Sequence, residues 1–282
     1  MKKIITLVLA LCMALSSLTA CGNAAAKTAK VIDIELTSEQ YAFGVDKKQP
    51  ELLEKVNEFI KKIKEDGTLD EICDRYFSNG TPVAVKSAKQ DASKDQLVVA
   101  TNAAFAPFEY TEGGDEFYGV DMEIAKLLAD YLGKELVIVH MDFDAVCLAV
   151  GQQKCDIAMA GLTIAEDRKE HVNFSDSYYN ASQKLIVPSD CTDFDNCKTV
   201  EDVEAILKAK GADCKIGVQK GTTGQLYCEG DADWGFDGFP VTCVPNSNGS
   251  LAVQDMLNGN VNYVIIDSAP ADCIVDAINK VQ

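Results

Sequence analysis

Histidine is scarce in this sequence, with His140 and His171 its two instances. None of the 11 cysteines forms a C-x-x-C pair, so the common zinc and c-type haem patterns are missing and no metal or cofactor is expected. Basic residues are also short: 26 Lys and Arg face 44 Asp and Glu, for a net charge of -18. Such a surface repels nucleic acid and anionic lipid, so no nucleic-acid partner is expected. Long apolar runs are missing too. Beyond Leu15 none approaches the roughly 18 residues that a membrane span requires, and no spanning helix is expected there.

What is present begins with an export signal. Lys2 and Lys3 precede an apolar run from Ile4 to Leu15, and small residues then lead to Leu18-Thr19-Ala20-Cys21, so residues 1–20 are expected to be removed. Loss of the two lysines takes the net charge from -18 to -20. The LTAC sequence resembles a bacterial lipobox, which implies that Cys21 is lipidated and tethers the protein to the outer face of a membrane. The alternative is a plain cleaved signal with an incidental cysteine. Residues 21–30 have too little apolar content to pack and are expected to be a flexible tether. Of the other cysteines, Cys12 leaves with the signal. Cys147, Cys155 and Cys243 fall at apolar positions, as buried small hydrophobes do. Cys191 and Cys197 flank a short acidic loop and are the disulfide pair to test first.

The length suits one large or two medium domains. From Leu97 short apolar runs alternate with amphipathic segments: strands at 97–100, 135–139, 156–159 and 184–187, helices at 122–132 and 145–150. Asp121 is the expected cap of the first helix and Gly133 its stop. A second set follows: helix 200–210, strand 215–218, a Gly-Thr-Thr turn with a helix, helix 250–257 and strand 263–266. This alternation predicts an α/β fold. Ahead of both sets, a strand at 41–45 leads into a helix starting at Pro50, with Leu52, Leu53, Val56, Phe59, Ile60 and Ile63 at helical spacing and Gly67 as stop. Thr68 and Glu71 form an expected capping box for a second short helix through Tyr76.

Six blocks carry a resemblance: ATNAAFAPFEY from Ala100, MDFDAV from Met141, AGLTIAEDR from Ala160, VNFSDSYY from Val172, GVQKGTTG from Gly217 and YVIID from Tyr263. Together they resemble the type II periplasmic solute-binding proteins for polar amino acids, such as the glutamine- and histidine-binding proteins. The resemblance implies a two-lobed type II periplasmic-binding-protein fold. Residues 41–77 resemble that family's C-terminal tail yet stand ahead of the rest, so the order looks circularly permuted, with 87–96 as the linker joining old C-terminus to old N-terminus. Chain crossings are then expected near 187 and 36–39. Lobe 1 would take 40–186, and lobe 2 would take 187–282 with 31–36 as its final strand. The family likeness implies capture of a free amino acid between hinged lobes, delivery to an ABC transporter permease, a monomer, and no catalytic residue.

A free amino acid is a zwitterion, and burying one requires a counter-charge at each end. Arg168 matches the family's arginine, whose planar fork binds the ligand carboxylate; outside this context it would be a solvated helix face. Ala160, Gly161 and Thr163 lead into its helix, and Thr222 and Thr223 into another, where backbone N–H groups favour a carboxylate. Asp267 matches the aspartate that accepts from the ligand ammonium, although a strand-end Asp is commonly a helix cap. Phe105 and Phe143 match the aromatic pair that sandwiches the ligand side chain. Asn102 and Gln219 sit at specificity positions, and two neutral amides suit a polar uncharged side chain. Glu109, Asp142 and Asp144 keep a basic ligand open. The rival reading is an enzyme on the same fold, a cyclohexadienyl-dehydratase-like lyase, with Glu109 or Asp142 as acid or base.

Overall fold

The structure is a computed structural model that describes residues 27–78 and 80–281. The signal 1–20, the lipid site Cys21 and most of the tether lie outside the described residues. Two five-stranded sheets, each covered by helices, make a two-lobed α/β fold. The first runs in the order Val172–Phe174, Gly44–Asp46, Ile157–Ala158, Gln96–Thr101, Glu135–His140. The second runs Ala29–Ile32, Gln183–Pro188, Tyr263–Asp267, Lys215–Gln219, Thr242–Asn246. In each, the last three strands are parallel and the first two pair antiparallel, the parallel part being what helical crossovers alternating with strands produce.

The helix Pro50–Glu65 forms as its sequence dictates: proline opens the first turn, and Val56, Phe59, Ile60 and Ile63 turn one buried face inward. Each such side chain contributes roughly 1.5–3 kcal/mol on burial. Gly133, at φ 69°, ends the helix Val120–Leu132 in the left-handed conformation.

Several elements depart from expectation. The strand at 41–45 is two strands, because the backbone changes partner at Ala42, whose N–H donates to Leu162 O at 2.9 Å. Glu39–Tyr41 pairs with Tyr179–Ala181, while Gly44–Asp46 enters the first sheet. The Thr68–Glu71 capping box does not form. Gly67, at φ 82°, precedes the helix Thr68–Phe77, and Asp66 Oδ1 accepts from Thr68 N–H at 3.1 Å instead. Asp121 is no cap: Gly119 holds that position, and Asp121 lies buried inside the first turn.

The strand placed at 31–36 is instead Ala29–Ile32, its start held by the Asn279 side chain, which accepts from Ala29 N–H at 3.2 Å and donates to Ala29 O at 2.9 Å. The end of the supposed tether is thus part of a sheet. Gln183–Pro188, grouped with the first set and followed by a crossing near 187, instead pairs with Tyr263–Asp267 in the second sheet. The return crossing therefore falls between Ala181 and Gln183, directly beside the outward one at 36–39. Linker residue Ser87 is tacked down, its Oγ accepting from Ile138 N–H at 2.8 Å, and Gln96 already belongs to a strand. The nine described cysteines are free, Cys191 and Cys197 included; Cys147 and Cys155 are buried, whereas Cys243 is half-buried.

Candidate functional site

A narrow cavity opens where the ends of the two sheets face each other, lined by Phe105, Phe143, Gly161, Thr163, Arg168, Gln219, Thr222, Thr223 and Asp267. Nine of the eleven expected ligand positions thus converge. Ala160 does not line the cavity, being packed in the apolar cluster beneath Gly161. Asn102 does not line it either, and reaches it through Gln219.

Arg168 comes from the short helix Glu166–Lys169 and is 8% exposed. Its Nη1 donates to Thr163 O at 2.7 Å and its Nη2 to Gly221 O at 3.0 Å, while the guanidinium stands 5.1 Å from the Phe143 ring centroid. No carboxylate pairs with it among the described residues. A buried guanidinium held by neutral carbonyls and a ring keeps its field for an incoming anion. Gly161 has φ 53°, and a Cβ there would come within 2.9 Å of Phe105 Cε1, so this glycine lets the backbone pass the ring.

Asp267 ends the apolar strand Tyr263–Asp267, opposite Arg168. One oxygen accepts from the Tyr41 hydroxyl at 2.6 Å and the other from the Gln183 amide. Gln183 Nε2 also donates to Glu39 Oε1 at 3.0 Å, and the Thr163 hydroxyl donates to Glu39 Oε2 at 2.7 Å. Burial, followed by the Glu39 charge, pushes Asp267 up to about 7, against the pull of the Tyr41 and Gln183 hydrogen bonds and of Arg168. A cation placed beside it would restore the ionised form.

A relay with a fixed polarity links the specificity pair. Asn102 Nδ2 donates to Met141 O at 2.7 Å, and a carbonyl can only accept, so Asn102 Oδ1 is left to receive Gln219 Nε2 at 3.3 Å. Gln219 Oε1 then remains buried without a partner in a residue that lines the cavity. An orphaned acceptor of this kind favours a ligand group that donates.

The three acidic candidates do not enter the cavity. Asp142 and Asp144 are exposed, and Asp144 Oδ2 pairs with Lys220 Nζ at 2.7 Å across the cleft mouth. Glu109 is wholly buried with neither carboxyl oxygen paired, and burial, then Asp121 and Asp267, push it well above the carboxylate range. Thr222 uses its hydroxyl on Gln219 O at 2.8 Å rather than as a helix cap. Sequence reasoning missed Glu39, Tyr41, Gln183 and Asp121. Asp121 accepts from Gly161 N–H at 2.9 Å and from the Tyr178 hydroxyl at 2.5 Å, fixing the backbone beside the cavity, and burial raises it to about 7.

The family model described as bacterial extracellular solute-binding proteins, family 3, matches residues 7–79 and 97–264. The chain belongs to that family. Among relatives of this family 3 protein, the arginine-binding extracellular protein ArtP of Bacillus subtilis is 31% identical over 142 residues, covering 50% of this chain and 51% of the relative. The chain spans between about half and three fifths of the length of the first curated relatives it matches. Among solved structures, an ancestral amino acid-binding protein, AncCDT-1, described as a precursor of cyclohexadienyl dehydratase, is 28% identical with a TM-score of 0.55, covering 74% of this chain and 78% of that one. An ancestral arginine-binding protein bound to glutamine is 33% identical with a TM-score of 0.54, covering 65% of this chain and 74% of that one. The two-lobed α/β architecture of this family 3 protein is the solute-binding fold of these neighbours.

Proposed function

We propose that this family 3 protein captures a free amino acid between its two lobes outside the cytoplasm and hands it to an ABC transporter permease. The observation that carries this reading is the pairing of opposite charges across one cavity. Arg168, buried without an acid, faces Asp267, buried and held by neutral donors. A zwitterion satisfies both, its carboxylate at the guanidinium and its ammonium at the aspartate. Phe105 and Phe143 wall the space for the side chain, and Gln219 Oε1 calls for a side chain that donates a hydrogen bond. The names of the relatives are in keeping with that demand, since arginine and glutamine side chains both carry N–H groups.

Binding to both lobes supplies the differential affinity that drives closure. No turnover, cofactor or second subunit is part of the scheme. The lipid anchor at Cys21 would keep the protein near its permease. In the proposed chain order, residues 29–77 complete both lobes from the front, and 87–96 is the joining linker. The adjacency of Asn279 to Ala29 supports such a rewiring.

The test is a thermal-shift and calorimetric screen of the purified protein against the common amino acids. Saturable one-to-one binding of one or a few with N–H side chains is expected, and no binding by any of them would overturn the reading. The likeness to a precursor of cyclohexadienyl dehydratase keeps a lyase in view. Incubation with a carboxylated cyclohexadiene, followed by ultraviolet absorbance, would detect it through growth of an aromatic product.

A further inference from the structure

Glu39 does not line the cavity, yet it joins the two charge poles that face each other across it. It opens the strand Glu39–Tyr41, where the chain passes from the second lobe to the first, and is 4% exposed. Its hydrogen-bond partners are neutral donors. The Thr37 hydroxyl donates to Oε1 at 2.6 Å, Gln183 Nε2 donates to the same oxygen at 3.0 Å, and the Thr163 hydroxyl donates to Oε2 at 2.7 Å.

Two of these partners lead on to the poles. Thr163 accepts from Arg168 Nη1 on its carbonyl oxygen while its hydroxyl holds Glu39. Gln183 gives its other amide hydrogen to Asp267. Ionised carboxylates only accept, so two of them facing one amide fix Nε2 between them. Gln183 Oε1 is then left buried without a partner, where an amide free to turn would satisfy its oxygen. An unbroken run of hydrogen bonds thus passes from Arg168 through Thr163, Glu39 and Gln183 to Asp267.

We propose that Glu39 is a positioning residue for amino-acid capture: by holding Thr163 and Gln183 at once, it sets the Arg168 guanidinium and the Asp267 carboxylate in the relation that one zwitterion spans. The ligand rests on the binding reading above, and the choice of residue rests on the hydrogen bonds. Reach matters here more than charge. Alanine releases both Thr163 and Gln183, whereas glutamine keeps the length, still accepts from Thr37 and Gln183, and donates to a Thr163 hydroxyl turned to accept.

The experiment is calorimetry of the full chain with each common amino acid at pH 8, on the parent, Glu39→Ala, Glu39→Gln and Thr163→Val. Glu39→Ala should bind the parent's ligand about tenfold more weakly or worse, and Thr163→Val, which removes only the hydroxyl bond to Glu39, about fivefold more weakly. Glu39→Gln should stay within about threefold of the parent. Full affinity in Glu39→Ala, or equal weakness in Glu39→Gln, would overturn the proposal. If Glu39→Ala does not fold, full affinity in Thr163→Val does the same.

Carbon-13 carboxyl resonances of the ligand-free protein give a second readout. Asp267 is faced by Glu39 and Tyr41 from the hinge strand, by Gln183 beside it, by Arg168 across the cavity and by Glu109; burial, then the Glu39 charge, hold it at about 7. Its titration midpoint, assigned through Asp267→Asn, should move toward acid by about one pH unit in Glu39→Gln. An unmoved midpoint would overturn the link between Glu39 and Asp267 with no ligand involved. Failure of the parent to bind any amino acid would overturn the capture reading instead, and the midpoint would still decide the link.

Discussion

Tyr41 donates its hydroxyl hydrogen to Asp267 Oδ1 over 2.6 Å, although 226 residues separate the two along the chain. Tyr41 is completely buried, and burial, then the Asp267 charge, hold its phenol well above the ordinary range, so it remains a donor. With Gln183 on the other oxygen, the carboxylate is fixed in orientation before any ligand arrives. Tyr41→Phe removes that donor and leaves the ring packing against Phe108 intact. Hydrogen bonds to charged groups contribute about 1.5–3 kcal/mol, so amino-acid binding should weaken tenfold or more. Calorimetry on the folded variant checks it, and an unchanged Kd would mean that Asp267 needs no such partner.

Arg168→Ala should weaken binding by roughly 3 to 5 kcal/mol, since the ligand carboxylate would be buried without a partner. Arg168→Lys keeps the charge but not the planar fork, and should fall between. Arg168 also ties Thr163 O to Gly221 O, so the ligand-free melt must be measured alongside. Loss of ligand-induced stabilisation beyond any shift of the ligand-free protein is the expected signature. Unchanged affinity in the alanine variant would remove Arg168 from the site.

Much of this site is legible in the chain because its pieces are local signals. Gly161 and Thr163 stand just before Arg168, the Gly-Thr-Thr turn follows an apolar strand, and Asp267 closes one. The helix Pro50–Glu65 is legible for the same reason, its apolar face being written in consecutive turns. Glu39, Tyr41 and Gln183 are not. Each serves the site through a partner more than 80 residues away, and nothing in their immediate neighbours distinguishes Glu39 from a solvated loop acid. The crossing at Ala181 was misplaced because Gln183–Pro188 is apolar on both faces, and such a run gives no hint of which sheet it joins. The helix Ser268–Val281 has no counterpart among the expected elements, although it begins directly after Asp267, whose alternative reading is a helix cap.

Acid should weaken binding. Asp267 sits at about 7 in the ligand-free protein, and an ammonium ligand requires its ionised form. Binding therefore lowers that pKa and releases protons, and affinity should fall by up to about tenfold per pH unit below 7. Ligand-free stability runs the other way. A carboxyl raised from 3.8 to about 7 on folding favours the protonated folded state, so the stabilisation is complete below 3.8 and lost as pH rises through 7. Calorimetry between pH 5 and pH 8 in buffers of different ionisation enthalpy would count the protons; a flat profile would contradict the ammonium assignment.

Gly221→Ala should impair closure rather than either lobe. The residue has φ 76°, and an added Cβ would lie 2.9 Å from Asp144 Cβ and 3.3 Å from its Cα, on the facing lobe. The collision would force the turn back and lengthen the bond from Arg168 to Gly221 O. A loss of affinity of about tenfold is expected, from strain of roughly 1–2 kcal/mol for a left-handed alanine plus the clash. Small-angle scattering of the ligand-saturated variant should report a larger radius of gyration than the parent, and an equal radius would show that the turn yields without cost.

Removing residues 31–77 should leave no cooperative fold. Gly44–Asp46 lies between Val172–Phe174 and Ile157–Ala158 in the first sheet, so its loss would strand Val172–Phe174 without a neighbour. The same deletion removes Val31 and Ile32 from the edge of the second sheet and the buried face of Pro50–Glu65 from the first lobe. A chain reordered to run from residue 92 to 281 and then from 27 to 91 keeps every one of these contacts. Its new junction falls near Asn279 and Ala29, which already touch, and its new ends fall in the exposed stretch at 91–92. Circular dichroism melts should show a single cooperative transition for the reordered chain and none for the deletion, with amino-acid binding kept in the former. A cooperative melt in the deletion, or failure of the reordered chain to fold, would disprove the proposed rewiring.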